Sequence, residues 1–149
     1  MNQISERLAS LSPSETLAMS QKSNELKAQG IDIINLSVGE PDFNTPDHIK
    51  AAAKKAIDDN FSFYSPVPGY MDLRKAICAK LKNENALEFT PDQIVVSNGA
   101  KQSICNAILS LIDPEDEVII PAPYWVSYVE MVKLAEGKSV IITAGIDQD

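Results

Sequence analysis

The sequence predicts an α/β fold with a parallel sheet, because short apolar runs alternate with longer stretches of helical periodicity. The apolar runs that we predict to be strands are 31–36, 94–96, 118–120 and 140–142. The predicted helices are 14–29, 46–59, a stretch through Leu73 and Leu81, 100–112 and 126–135. Parallel sheets bind ligands at the C-terminal ends of their strands. The loops 97–101 and 121–125 are therefore where we expect a functional site.

Capping residues predict where the first two long helices begin and end. Ser14 is a candidate cap for helix 14–29, and Gly30 is a stop signal. Thr45 can cap the free amides of the next helix. Pro46 has no amide to lose at the first helical position, and Asp47 suits the positive end of the helix.

Proline and glycine are expected to delimit the C-terminal elements. Pro121 and Pro123 should break the strand at 118–120, since proline lacks the amide that a ladder needs. Gly137 should end the helix at 126–135.

Composition and charge exclude several classes of function. The chain has 149 residues, enough for one domain, with 44% hydrophobic and 23% charged residues. Its net charge of -8 argues against a nucleic acid or an anionic membrane surface as partner. No apolar run approaches the roughly 18 residues of a membrane span. Residues 1–12 lack the basic and apolar regions of a secretory signal.

Cysteine and histidine usage leaves little room for a metal site. Cys78 and Cys105 both fall within predicted helices among apolar neighbours, as buried reduced thiols do. A disulfide or a nucleophilic role for either is the alternative. His48 is the single histidine, so a histidine-rich metal site is unavailable. The simplest compartment is the cytoplasm.

The segment Ser97–Lys101 lies between a predicted strand and a predicted helix. Amides at a helix N-terminus lack partners within the helix, and the helix dipole favours an anion there. The small residues Gly99 and Ala100 let a phosphate approach the backbone. The segment matches neither of the glycine-rich patterns for dinucleotides and nucleoside triphosphates. An ordinary tight turn is the alternative.

Three further loops carry groups that could contact a ligand. In 121–125, prolines stiffen a loop that can present Trp125 for stacking on a flat cofactor ring; a core tryptophan is the alternative. The Gly39 amide could meet a substrate carboxylate, or 39–43 could be a plain surface turn. Tyr64 offers a phenol on a proline-stiffened loop, or it could be a packed aromatic.

Taken in order and spacing, these segments resemble the fold-type I aminotransferases that use pyridoxal 5'-phosphate, and the aspartate aminotransferases most closely. The matching elements are Gly39-Glu40-Pro41-Asp42-Phe43 with Thr45-Pro46, Tyr64 with Pro66 and Gly69, Leu73-Arg74, Asn98-Gly99-Ala100-Lys101-Gln102, Asp116-Glu117-Val118 and Pro123-Tyr124-Trp125. The resemblance covers nearly the whole chain.

The resemblance implies a role for each segment. Amides near Gly99, Ala100 and Lys101 would hold the cofactor phosphate, and Trp125 would stack on its pyridine ring and border the substrate. Gly39 would contact the substrate α-carboxylate. Tyr64 would reach the cofactor phosphate of the neighbouring subunit, so that the active site belongs to a homodimer. The fold implied is the three-layer α/β/α large domain, incomplete here.

The resemblance also implies that the reacting lysine is not among these residues. In this family the lysine that binds the cofactor covalently comes much later than Lys101, so we expect it beyond Asp149, together with the arginine that binds the substrate carboxylate. The sequence is then an N-terminal fragment with no catalytic residue of its own. Residues 1–45 would form an N-terminal arm and small-domain segment, and 46–149 the first part of the large domain.

The function implied is transfer of an amino group from an amino acid, aspartate in the first instance, to a 2-oxo acid such as 2-oxoglutarate. Other enzymes of the same fold, such as an aromatic or alanine aminotransferase or a lyase, remain alternatives. So does a non-catalytic chain that binds the cofactor or a partner. The rest of the chain would be needed for a complete fold and for activity.

Overall fold

The computed structural model describes residues 4–145 and divides the chain into two compact units. The sheet unit consists of Met1–Glu40 with Ile104–Asp149, and the helical unit consists of Pro41–Ser103. The division does not test the predicted boundary between the segments 1–45 and 46–149, which stays a prediction. Within the described residues, no helix is long and apolar enough to cross a membrane.

The helices that the sequence predicts are present, with small shifts at their ends. The short helix α1 (Glu6–Ala9) and a 3₁₀ turn at Pro91–Gln93 are not among those predicted. The predicted helices are α2 (Glu15–Ala28), α3 (Asp47–Asp58), α4 (Met71–Asn85), α5 (Ala100–Leu111) and α6 (Ser127–Leu134). Cys78 and Cys105 lie in α4 and α5 as free, half-buried thiols.

The ends of α2 are those that the sequence predicts. The Ser14 hydroxyl accepts a hydrogen bond from the Leu17 amide at 3.3 Å. Gly30 adopts φ +80° and its amide donates to Lys27, while the Ile31 amide donates to Leu26. These two bonds form a Schellman motif, in which a left-handed residue lets the chain close the helix.

The predicted cap of α3 is wrong. Pro46 occupies the N-cap position, and no side chain caps the helix, so Thr45 does not perform this role. The helix begins at Asp47, whose carboxylate receives an ion pair from Lys50 at 3.1 Å. The favourable charge at the helix start is present without the hydroxyl cap.

The sheet unit contains a β–α–β arrangement. Strand β1 (Glu117–Ala122) pairs in parallel with β2 (Lys138–Thr143), in a register that sets Ile119 opposite Val140, and α6 connects the two strands. This confirms the strands predicted at 118–120 and 140–142. Helix α6 packs on both strands, and the buried apolar side chains of the described residues are Ile120, Met131, Val132 and Ala135.

Pro121 does not break β1, contrary to the prediction. The strand continues through it to Ala122. The Ala122 carbonyl accepts from the Ala144 amide, so Ala122 faces β2. Because successive residues of a strand point their backbone groups to opposite sides, Pro121 faces away from β2, where its missing amide costs no bond of this ladder.

Gly137 takes part in ending α6, as the sequence predicts, because its amide donates to the Val132 carbonyl at 3.0 Å, and it also serves packing. The left-handed residue after α6 is Glu136, with φ +63°. A Cβ at Gly137 would lie 2.8 Å from Ile112 Cγ2, 3.2 Å from the Asp116 carbonyl oxygen and 3.3 Å from Val132 Cγ1. Glycine is therefore required by the space between these groups.

Two predicted strands do not form among the described residues. Segment 31–36 is irregular, and the Asn35 side chain accepts from the Ser37 amide at 3.0 Å in a local turn. Segment 94–96 has no regular secondary structure and pairs with no described strand; the Val96 amide donates instead to the Pro68 carbonyl at 3.0 Å. A strand exists only where its backbone groups meet a partner, and an apolar run does not specify one.

Candidate functional site

The turn before α5 has a backbone that only glycine adopts readily. Gly99 has φ +89°, and its amide donates to the Ser97 carbonyl at 2.9 Å. The Gly99 carbonyl in turn accepts from the Ser103 amide, which places Gly99 at the entry to the helix. A Cβ at Gly99 would meet nothing within 4 Å, so the space beside this turn is open. The turn predicted between residues 97 and 101 is present.

The charges around this turn suit an anion. Helix α5 carries no acidic residue in its first turn. Each other α-helix of the described chain has one there: Glu6, Glu15, Asp47, Asp72 and Glu130. A carboxylate in the first turn would occupy the positive helix end and repel a phosphate. At the N-terminus of α5, the neutral side chain of Gln102 instead accepts a hydrogen bond from the Asn98 amide.

The residues that the resemblance assigns to the phosphate and to the pyridine ring are divided between the two units. Gly99, Ala100 and Lys101 lie in the helical unit, at the N-terminus of α5, and all three are exposed. The open, glycine-shaped backbone and the absence of acidic side chains fit a phosphate group.

Trp125 follows β1 in the sheet unit, where the sequence places it. The residue is 40% exposed, and its ring makes an edge-to-face contact with Tyr128, with centroids 5.6 Å apart and an interplanar angle of 89°. The Trp125 carbonyl accepts from the Tyr128 amide at 3.0 Å, at the start of α6. Tyr128 thus contacts an indole whose residue retains exposed surface for a ligand.

Gly39 and Tyr64 are both accessible. Gly39 is exposed, and a Cβ there would meet nothing within 4 Å. Tyr64 is fully exposed, so within the described part of the chain it is not the packed aromatic of the alternative interpretation. Tyr64 shares the helical unit with Gly99, whereas Gly39 and Trp125 belong to the sheet unit, so a common site for all four stays a prediction.

Arg74 is a residue to which sequence reasoning assigns no role. It is buried in the helical unit and donates to the carbonyl oxygens of Gly69 and Pro91. The sequence pattern that could have pointed to Arg74 is an arginine in the first turn of a helix that directly follows a glycine-containing loop.

Metal ligands are not grouped in the described part of the chain. Across residues 4–145, no three histidine, cysteine, aspartate or glutamate side chains are placed so that they could hold an ion together.

Comparison with known proteins identifies the family. The chain belongs to the aminotransferase class I and II family, whose model matches residues 31–149. It is 54% identical over 145 residues to an aspartate/prephenate aminotransferase of Nitrosomonas europaea, covering 97% of this chain and 36% of that protein. It is 52% identical to an aspartate aminotransferase of Pinus pinaster, covering 98% of this chain and 30% of that protein.

The fold agrees with solved members of this family. An aspartate aminotransferase from Thermus thermophilus, solved with maleate, superposes with a TM-score of 0.95 at 41% identity, over 99% of this chain and 39% of that one. This confirms the predicted fold, an incomplete fold-type I large domain, and the resemblance to aspartate aminotransferases. The chain thus spans about a third of the length of its relatives: 36% of the Nitrosomonas protein and 39% of the Thermus chain.

Proposed function

We propose that this chain supplies the N-terminal, phosphate-binding part of a pyridoxal-phosphate-dependent aspartate aminotransferase. The observation that carries the proposal is the turn Ser97–Lys101. It combines a left-handed Gly99, open space beside it and a helix terminus without acidic residues. Membership of the aminotransferase family makes the phosphate of the cofactor the anion to expect there.

Each residue has a defined task in this proposal. The amides of Ala100 and Lys101 bind the phosphate beside Gly99, whose own amide donates to the Ser97 carbonyl. Trp125 packs against the face of the pyridine ring, and Tyr128 contacts the indole. Tyr64 donates a hydrogen bond from its phenol to the cofactor phosphate of the neighbouring subunit. When bound, the cofactor supplies an electron sink for the reacting carbon. These residues bind and orient the cofactor; the proton-transferring lysine is expected beyond Asp149.

Aspartate and 2-oxoglutarate are the substrates that we propose. The Nitrosomonas relative is named for aspartate and prephenate, and the Thermus structure holds maleate, a four-carbon dicarboxylate. In this proposal the exposed amide of Gly39 donates to the α-carboxylate of the amino acid. Trp125 closes one side of the substrate space.

Prephenate is a second amino-group acceptor that the relatives support. The Nitrosomonas protein, 54% identical to this chain, carries prephenate in its name. We therefore include prephenate, with aspartate or glutamate as donor, in the substrate test. Conversion of prephenate at a rate comparable to that of 2-oxoglutarate would identify a dual acceptor.

A homodimer in the cytoplasm completes the proposal. Phe63 and Tyr64 are both strongly exposed, and adjacent exposed aromatics commonly mark a contact surface. The free thiols Cys78 and Cys105 are those of a reducing compartment.

The test uses a chain of the relatives' length that carries residues 1–149, called the full-length chain below. We expect it to bind pyridoxal phosphate and to produce oxaloacetate from aspartate and 2-oxoglutarate. Gly99→Ala should weaken cofactor binding by about tenfold or more, because alanine is strained at φ +89° and relief of that strain displaces the phosphate-binding amides.

Gly30→Ala is the matched control for this variant. Gly30 has φ +80° and, like Gly99, open space where a Cβ would be, so alanine costs similar backbone strain there. Gly30 lies at the end of α2, outside the proposed phosphate turn. Equal effects of the two substitutions on cofactor affinity, or a full-length chain that binds no cofactor, would overturn the proposal.

A further inference from the structure

Among residues 4–145, Arg74 alone of the charged residues is buried, with 7% of its surface exposed. Its Nε donates to the Gly69 carbonyl at 3.2 Å, and its Nη1 donates to the Pro91 carbonyl at 2.9 Å. The Asp92 carboxylate lies 3.8 Å from Nη1, but that side chain is 91% exposed. A buried guanidinium is costly unless it is hydrogen-bonded. The two carbonyls therefore hold this side chain, and the solvated carboxylate contributes little.

These carbonyls belong to two separate segments of the helical unit. Gly69 ends a tight turn in which its amide donates to the Pro66 carbonyl at 2.8 Å. Pro91 begins the 3₁₀ turn that leads, through the segment 94–96, to the Gly99 turn. The donors of a guanidinium lie in one rigid plane, so a single side chain can bridge both segments.

Val96 makes a second attachment between the same two segments. Its amide donates to the Pro68 carbonyl at 3.0 Å. Gly69 has φ +96°, and a Cβ there would lie 2.7 Å from Val96 Cγ2 and 2.9 Å from Val96 Cβ. The loop therefore lies directly on Val96, with no room for a side chain at residue 69. Val96 immediately precedes the segment Ser97–Lys101 that the proposed function assigns to the phosphate.

We propose that Arg74 is a positioning residue that, together with Gly69, fixes the loop carrying Tyr64 against the segment carrying Gly99. Tyr64 is fully exposed, so the packing of its own ring does not set its place. Its position depends on the backbone of its loop, which Arg74 and Val96 hold. Arg74 acts on ligand binding through these backbone segments and does not itself contact the ligand. The inference rests on the proposed function for the roles of Gly99 and Tyr64. The attachment of the loop by Arg74 and Val96 is independent of that function.

The test compares Arg74→Met with Ala76→Gly in the full-length chain. Methionine keeps much of the volume but removes both donors. Ala76 is exposed in the same helix, and glycine weakens that helix without touching either carbonyl. Two quantities are measured: the exchange rate of the Val96 amide without cofactor, and the dissociation constants of pyridoxal phosphate and of pyridoxal, which lacks the phosphate.

We expect Arg74→Met to speed exchange of the Val96 amide. The same substitution should weaken the binding of pyridoxal phosphate by roughly tenfold or more, and the binding of pyridoxal much less. Ala76→Gly should lower the melting temperature without changing the ratio of the two dissociation constants. Arg74→Lys should restore part of the affinity, since an ammonium can reach one carbonyl at a time. Where Arg74→Met does not fold, Gly69→Ala displaces the same loop from Val96 and should change the same ratio.

Each other outcome overturns the inference. Unchanged Val96 exchange in Arg74→Met would mean that the side chain does not hold the loop. Faster exchange with an unchanged affinity ratio would make Arg74 a structural residue only, and would leave the proposed function intact. A wild-type full-length chain that binds no pyridoxal phosphate would remove the proposed function, and with it the role of Arg74, even if exchange showed the attachment to be real.

Discussion

Replacing Gly137 with alanine tests the packing of the sheet unit. The new Cβ would lie 2.8 Å from Ile112 Cγ2 and 3.3 Å from Val132 Cγ1, and Val132 is fully buried. Inserting a methyl group into such a space costs about 1–3 kcal/mol. The loss of glycine's freedom in the unfolded chain offsets about 0.4–1 kcal/mol of this. The net expectation is a destabilisation of roughly 1–2 kcal/mol.

The assay is amide exchange at Lys138 in the full-length chain. This amide donates to the Asp116 carbonyl at 2.7 Å, beside Gly137, and reports local opening of the β–α–β arrangement. A loss of roughly 1–2 kcal/mol corresponds to an exchange rate about 5–30 times faster. Gly145→Ala is the control, because a Cβ there would meet nothing within 4 Å. Equal exchange rates in the two variants would refute the packing argument.

Three further predictions address the site, the reaction and pH. Trp125→Ala should weaken pyridoxal phosphate binding by the roughly 0.5–1.5 kcal/mol of a ring contact, beyond the area lost, and Trp125→Phe should retain most of it; unchanged titrations would assign Trp125 to packing alone. Residues 1–149 by themselves should show no transfer from aspartate to 2-oxoglutarate in a coupled oxaloacetate assay, since the reacting lysine is expected outside them; activity free of full-length enzyme would contradict this. Hydrogen bonds from Lys133 and from the Ser12 amide, both at 2.8 Å, hold the pKa of Glu130 below its ordinary value. The carboxylate therefore stabilises the docking of α1 on α6 above a pH of about 4.3, and this contribution is lost as the pH falls through the lower folded-state pKa. Proteolysis of residues 4–12 should accelerate at that low pH in the wild type, and the pH dependence should be absent in Glu130→Gln.

Local signals were sufficient to predict the five longer helices, although the four-residue α1 was missed. Helix α2 begins at the Ser14 cap and closes with Gly30 in the left-handed conformation, and both residues act within one turn of their position. Strands β1 and β2 were predictable for a related reason, since the intervening α6 folds back to bring them together. Local loop patterns single out the aromatic and glycine positions of the candidate site, and the resemblance supplies their roles.

Features that depend on distant partners were not predictable. Segments 31–36 and 94–96 have the composition of strands, but no described strand pairs with them. Arg74 reads in sequence as a solvated charge on an amphipathic helix. Its burial depends on the carbonyl of Pro91, 17 residues away, which no local pattern reveals. The packing role of Gly137 was not predictable either, because sequence shows a glycine at the helix end but not the side chains of Ile112 and Val132 against it.

Residues 1–149 alone expose more surface than a self-contained protein of their mass. The accessible surface is 12478 Å² for 16.2 kDa, whereas a folded monomer of this mass exposes about 7,500 Å². The excess of roughly 5,000 Å² is several times the area of a standard protein–protein interface, about 1,600 Å². Apolar side chains contribute to it: Ile57 on α3 is 76% exposed and Leu111 on α5 is 78% exposed. The two-stranded sheet also has an edge on each side where backbone groups can pair with another chain.

We therefore predict that residues 1–149, expressed alone, self-associate and do not unfold in one sharp transition. Light scattering gives the mass in solution, and calorimetry gives the cooperativity. Co-expression with the remaining part of the full-length chain should restore a defined complex, because those residues would cover the exposed faces. Ile57→Glu should reduce self-association if the apolar face of α3 drives it, whereas Lys54→Glu on the same helix should not, since it removes no apolar surface. A monodisperse monomer with one sharp transition would contradict the prediction, and would mean that the small core around Val132 is sufficient to hold this segment folded.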